Sequence, residues 1–65
     1  MDVIKLMEQA IENEKHAREM YRQGAEAAED PETRSIFEQL ARWEEDHERI
    51  LRERLATLKL IRGQQ

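Results

Sequence analysis

The chain has no cysteine, one proline, two glycines and only three aromatic residues: Tyr21, Phe37 and Trp43. Without cysteine there can be no disulfides, zinc ribbons, iron–sulfur clusters or cysteine-bound iron sites. A single proline leaves one strong break in the chain, so no second domain is expected. No apolar run approaches the roughly 20 residues that cross a bilayer. Asp2 and Glu8 stand where a signal peptide would be basic and then apolar. A basic surface is lacking too, and the net charge of −4 argues against a nucleic-acid partner. The expectation is a soluble, cytoplasmic protein that binds neither nucleic acid nor membrane.

What the chain does have is charge on strong helix formers. Charged residues make up 40% and hydrophobic residues 38% of the 65. That length is near the lower limit for one self-sufficient core, and this composition leaves a lone chain short of apolar surface to bury. Association with further copies is the remedy open to a chain without disulfides, so a homodimer or larger homo-oligomer is expected.

From Asp2 to about Ala28 the residues favour helix, with Gly24 the one weak point. Val3, Met7, Ala10, Ala17, Tyr21, Gly24 and Ala28 recur at helical spacing. Glu14 falls on the same stripe, in the row Met7, Glu14, Tyr21, Ala28. Glu8, Glu12, Lys15, Arg18, Glu19 and Arg22 fall mostly on other faces and read as a solvated surface. Glu29, Asp30, Pro31 and Glu32 then interrupt the pattern. Asp30 can cap a helix that begins at Pro31, and Glu32 complements its dipole. The second helix is expected from about Pro31 to about Ile61. Its apolar positions are Ile36, Phe37, Leu40, Trp43, Ile50, Leu51, Leu55 and Leu58. Gly63 reads as a stop signal, and Gln64 and Gln65 should fray. A turn of about residues 29–31 permits only an antiparallel helical hairpin.

Centring that turn on Asp30 and Pro31 sets Val3 opposite Leu58, Ala10 opposite Leu51, Tyr21 opposite Leu40 and Gly24 opposite Phe37. The same register sets Glu14 opposite His47 and Ala17 opposite Glu44. Glu44 and His47 are three apart, hence on one helical face, and that face is the apolar one. A carboxylate buried without a partner is costly, so a cation is the natural complement. Three ligands are few for a well-held site. Two hairpins related by a two-fold axis would form a four-helix bundle with four Glu and two His. Two divalent cations would neutralise the four carboxylates. Carboxylate-rich ligation with one His per metal suits iron or manganese better than copper.

The segment Glu14, Lys15, His16, Ala17, Arg18, Glu19, Met20, Tyr21 resembles the first-helix E-x-x-A-x-x-x-Y pattern of rubrerythrin-like proteins in the ferritin-like superfamily. Trp43, Glu44, Glu45, Asp46 and His47 resemble their second-helix E-x-x-H. The resemblance covers about residues 10–51 and implies a ferritin-like four-helix bundle with a di-iron site. It implies that Glu14 is a terminal or bridging carboxylate, Glu44 a bridging carboxylate and His47 an iron ligand. It also implies that the Tyr21 hydroxyl bonds a ligand carboxylate, although plain packing would equally account for this residue. Iron oxidation, iron storage and peroxide reduction are the activities of such a family, with Fe(II) and oxygen or peroxide as the reactants. Family members usually carry four helices in one chain. Two helices resemble the encapsulated ferritins, whose sites form between subunits and whose partner is an encapsulin shell. The C-terminal docking peptide of those proteins has no counterpart in Arg62, Gly63, Gln64 and Gln65. Ile11 and Ala17 flank Glu14 without adding a carboxylate, and cysteine is absent, so ferroxidase-type iron oxidation is expected over peroxidase activity.

The alternatives are a metal-binding or storage module without turnover, and a metal-free helical interaction protein. Trp43, beside the stripe, is expected to pack between chains. His16 is expected to face away from Glu14, near Glu12, where an adventitious surface metal site is the alternative reading. Met7 and Met20 read as packing.

Overall fold

The computed structural model describes residues 1–63. Two helices, α1 (Val3–Ala27) and α2 (Pro31–Gly63), make up the fold. The expected fraying of Gln64 and Gln65 lies outside the described residues. Each helix starts on an aspartate. The Asp2 carboxylate accepts from the Ile4 amide at 2.9 Å, and the Asp30 carboxylate accepts from the Thr33 amide at 2.8 Å. These satisfy amide donors that the first turn leaves free. At the end of α1, the Ala28 amide donates to the Gly24 carbonyl at 2.9 Å and Arg34 donates to the Ala28 carbonyl at 3.0 Å. Gly63 is helical, and no described glycine has a positive φ.

The Thr33 amide, donating to the ionised carboxylate, holds Asp30 below the ordinary carboxylate pKa of 3.8. A group with a depressed folded pKa stabilises the fold above its unfolded value, and that contribution vanishes as pH falls through the folded one. Asp30→Ala is therefore expected to lower the melting temperature at neutral pH, and the gap to wild type should close below about pH 4. Circular-dichroism melts across that range check it.

The helices run antiparallel. Arg22 pairs with Glu45 near the turn, and Arg62 donates to Asp2 at 3.1 Å at the open end. The molecule measures 53 × 17 × 13 Å. The long axis matches a 33-residue helix at about 1.5 Å per residue. The short one is about the diameter of a single helix. The hairpin is therefore one layer, whereas stable domains need at least two. Among the described residues only Ile11 and Ala41 are buried.

The helix-to-helix seam alternates steps of three and four, as in a coiled coil. On α1 it runs Ile4, Met7, Ile11, Glu14, Arg18, Tyr21, Ala25 and on to the cap residue Ala28; on α2, Phe37, Ala41, Glu44, Glu48, Leu51, Leu55, Leu58. All are at least partly shielded. Ile36 and Ile50, expected among the apolar positions of the second helix, are exposed, as is Trp43, expected beside the stripe. The physical reason is that each helix carries two adjacent seams, which spacing alone merges into one broad stripe. The second seam of α2 is Ile36, Leu40, Trp43, His47, Ile50, Arg54, Thr57, Ile61. That of α1 is Val3, Leu6, Ala10, Asn13, Ala17, Met20, Gly24.

Each residue advances about 100° around a helix. That rotation places both second seams on one face of the hairpin, with His47. The exposed ion pair Arg22–Glu45, each residue one position beyond the inner seam, lies on the opposite side. One face is thus charged and the other largely apolar.

Gly24 shows how close the helices come. A Cβ at this position would meet three Phe37 ring atoms at 2.7–2.8 Å. Overpacking of this kind costs about 1–3 kcal/mol, against roughly 1 kcal/mol gained in helix propensity. Gly24→Ala is expected to destabilise by up to about 2 kcal/mol net, read from the denaturant midpoint. A stabilised variant would show that the ring moves freely.

Candidate metal centre

Glu14 comes from the middle of α1, and Glu44 and His47 come from adjacent turns of α2. His47 Nδ1 lies 3.4 Å from Glu14 Oε2 and 3.6 Å from Glu44 Oε2. One donor atom from each residue lies within 4.8 Å of the other two. The side chains of Glu14 and Glu44 are 26% and 17% exposed; that of His47 is 54% exposed. The cluster therefore sits at the border of the seam and opens onto the apolar face.

The donor set fits a cation. Atoms about 2.1 Å from one ion lie roughly 3.0–3.4 Å apart along octahedral or tetrahedral edges. The separations at His47 are close to that and too long for a good hydrogen bond. Glu14 Oε2 is buried and has no hydrogen-bond partner. A carboxylate oxygen withdrawn from water and left unpaired is unfavourable, and an ion would supply the missing interaction.

Tyr21 packs on Phe37 with ring centroids 6.4 Å apart and planes inclined by 34°. Within the described hairpin its hydroxyl makes no hydrogen bond to Glu14 or Glu44, so the contact seen here is a packing contact. His16 is exposed and outside the cluster. Val3 and Leu58, expected to meet, line one cleft at the open end.

Spacing had assigned Arg18 to a solvated surface. It instead enters the seam one turn beyond Glu14 and pairs with Glu48, which lies one turn beyond Glu44. The two side chains are 22% and 14% exposed. Arg52 also donates to Glu48, at 2.8 Å. That hydrogen bond, and then the Arg18 charge, hold the Glu48 carboxyl below its ordinary range, although burial pushes it the other way. Steps of four from Glu14 and from Glu44 stay on the inner seam, but only the pairing of the two positions across the helices shows that these charged residues turn inward.

An all-helical hairpin with two carboxylates and a histidine at one level carries the ligand types that carboxylate-bridged metal bundles place on facing helices. A family model described as Rubrerythrin matches residues 5–63, and the chain belongs to the rubrerythrin family. Neither the curated proteins nor the solved structures gave a match. A rubrerythrin-family domain points to a di-iron carboxylate protein, and the family usually binds iron. No helix of the described residues is long and apolar enough to cross a membrane.

Proposed function

We propose that two copies of this chain close face to face into a four-helix bundle that holds two iron ions and oxidises Fe(II). The observation that carries this reading is the meeting of Glu14, Glu44 and His47 at the edge of an uncovered apolar face. In this reading the three residues are half of a two-fold site, on the surface where a second half would dock.

A two-fold axis through that face brings together four carboxylates and two imidazoles. Two divalent ions balance the four negative charges, and manganese suits the same donors. When bound, the iron supplies the electrons, one from each Fe(II), for transfer to oxygen or peroxide. The protein side chains do the rest. Glu14 and Glu44 hold negative charge in a poorly hydrated place, which favours the trivalent product over the divalent substrate. His47 contributes a neutral donor, so the charge count stays with the carboxylates. Trp43, Ile36 and Ile50 from both copies would cover the site and exclude water. In that assembly the Tyr21 hydroxyl would find its carboxylate partner. Iron storage, as distinct from oxidation, would need a cavity beyond a bare dimer, and an encapsulin shell is the partner proposed for it.

Anaerobic loading with Fe(II) followed by air tests the oxidation. Wild type is expected to develop a ferric absorbance within the mixing experiment, and His47→Ala is not. Tight Fe(II) binding with no faster oxidation than free iron would leave a binding module in place of a ferroxidase.

A further inference from the structure

Among the described residues, two buried side-chain polar atoms lack a hydrogen-bond partner: Glu14 Oε2 and Arg18 Nε. One is an acceptor and the other a donor. Their residues are four apart on α1, where side chains lie one above the other on a shared face. Leaving either atom unmade in a shielded place is costly, and each has what the other needs.

The far end of Arg18 is already committed. Its Nη1 donates across the seam to Glu48 Oε1, and Glu48 Oε2 accepts from Arg52. The guanidinium is thus anchored between the helices. Nε, on the near side of the fork, is the donor left over. An ionised carboxylate offers about four acceptor positions, so a bond from Arg18 leaves Glu14 free to face a cation.

We propose that Arg18 is the positioning residue of the metal centre, its Nε–H fixing the Glu14 carboxylate directly or through one water. This rests on the reading of Glu14 as a metal ligand. The guanidinium also places a positive charge beside Glu14 and Glu44, which eases their repulsion when no cation is bound. Lysine cannot do both jobs. Its single ammonium can meet Glu48, but it has no second donor partway along the stem.

Co(II), with its visible absorption bands, is the probe, titrated into the chelator-treated full chain. Arg18→Lys keeps the charge and the pairing with Glu48. It is expected to melt within a few degrees of wild type without metal, yet to bind Co(II) roughly 10–100-fold more weakly, with altered band intensities. Glu48→Gln keeps Arg18 and an acceptor for it but loses the ion pair. It is expected to melt lower while keeping most of the Co(II) affinity. If Arg18→Lys bound Co(II) as wild type does, with the same spectrum, the positioning role would be overturned. Affinities that simply follow the melting temperatures of the two variants would overturn it as well, in favour of a structural staple. Wild type that takes up no Co(II) would overturn the ligand reading of Glu14 and this inference with it.

Discussion

Glu14→Ala and His47→Ala proteins are expected to bind Fe(II) more than about a hundredfold more weakly than wild type, since even groups that only orient ligands are worth 10–100-fold. The opposite effect is expected on the metal-free fold. Glu14 Oε2 is a buried acceptor without a partner, and its neighbours are a second carboxylate and a histidine. Alanine at position 14 removes the orphaned atom and one of the repelling charges. The relieved repulsion should outweigh the lost Arg18 contact, so the metal-free Glu14→Ala protein should melt no lower than metal-free wild type. With Fe(II) or Mn(II) present the order should reverse, because an ion that binds only the folded state stabilises it by mass action. A binding site that is unfavourable when empty commonly behaves this way. Calorimetric titration and paired melts, with and without metal, read both halves. An equal loss of stability in both conditions would make Glu14 an ordinary packing residue.

Trp43→Glu is the second large change. Trp43 stands on the outer seam of α2, exposed in the single hairpin together with Ile36 and Ile50. If a second copy covers that face, two glutamates enter the interface beside four existing carboxylates, and an unpaired charge in such a place is strongly unfavourable. The single layer has only Ile11 and Ala41 buried among the described residues, so it has little to fall back on. Trp43→Glu is expected to abolish the dimer at micromolar concentration and to remove most of the helical circular-dichroism signal. Fe(II) binding should fall with it, because half of the ligands leave. Glu53→Gln, on an exposed part of α2 outside both seams, is the control and should change none of these. A Trp43→Glu protein that remained helical and dimeric would place the interface elsewhere.

The hairpin was legible because its punctuation is local. Asp30 and Pro31 mark the only break, and helix formers fill the rest. The level of the site was legible for the same reason: a short turn and a fixed rise per residue put Glu14 beside His47, and the structure has them 3.4 Å apart. Gly24 against Phe37 followed from the same register. Two things were not legible. Hydropathy spacing resolves an apolar side of a helix but not two seams about 100° apart on it, so Ile36 and Phe37 looked alike although only Phe37 faces α1. Charged residues were also assigned outward by type. Arg18 and Glu48 escape that rule because each supplies the other's counter-charge inside the seam. Type alone puts such residues in solvent, and only their paired positions on two helices reveal otherwise.

The apolar face and the open edge of the cluster point to one arrangement in which fold and chemistry depend on each other. In the proposed assembly the second copy would supply the missing layer and the missing ligands, and the ions would offset the carboxylate repulsion that such packing creates. The most direct test is an anaerobic Fe(II) titration followed by the mass of the protein in solution, with and without chelator. The account predicts saturation at two irons per two chains, on a particle of at least two chains, with chelator lowering its melting temperature. A particle that remains a single chain at saturation, or a protein that takes up no iron, would contradict it.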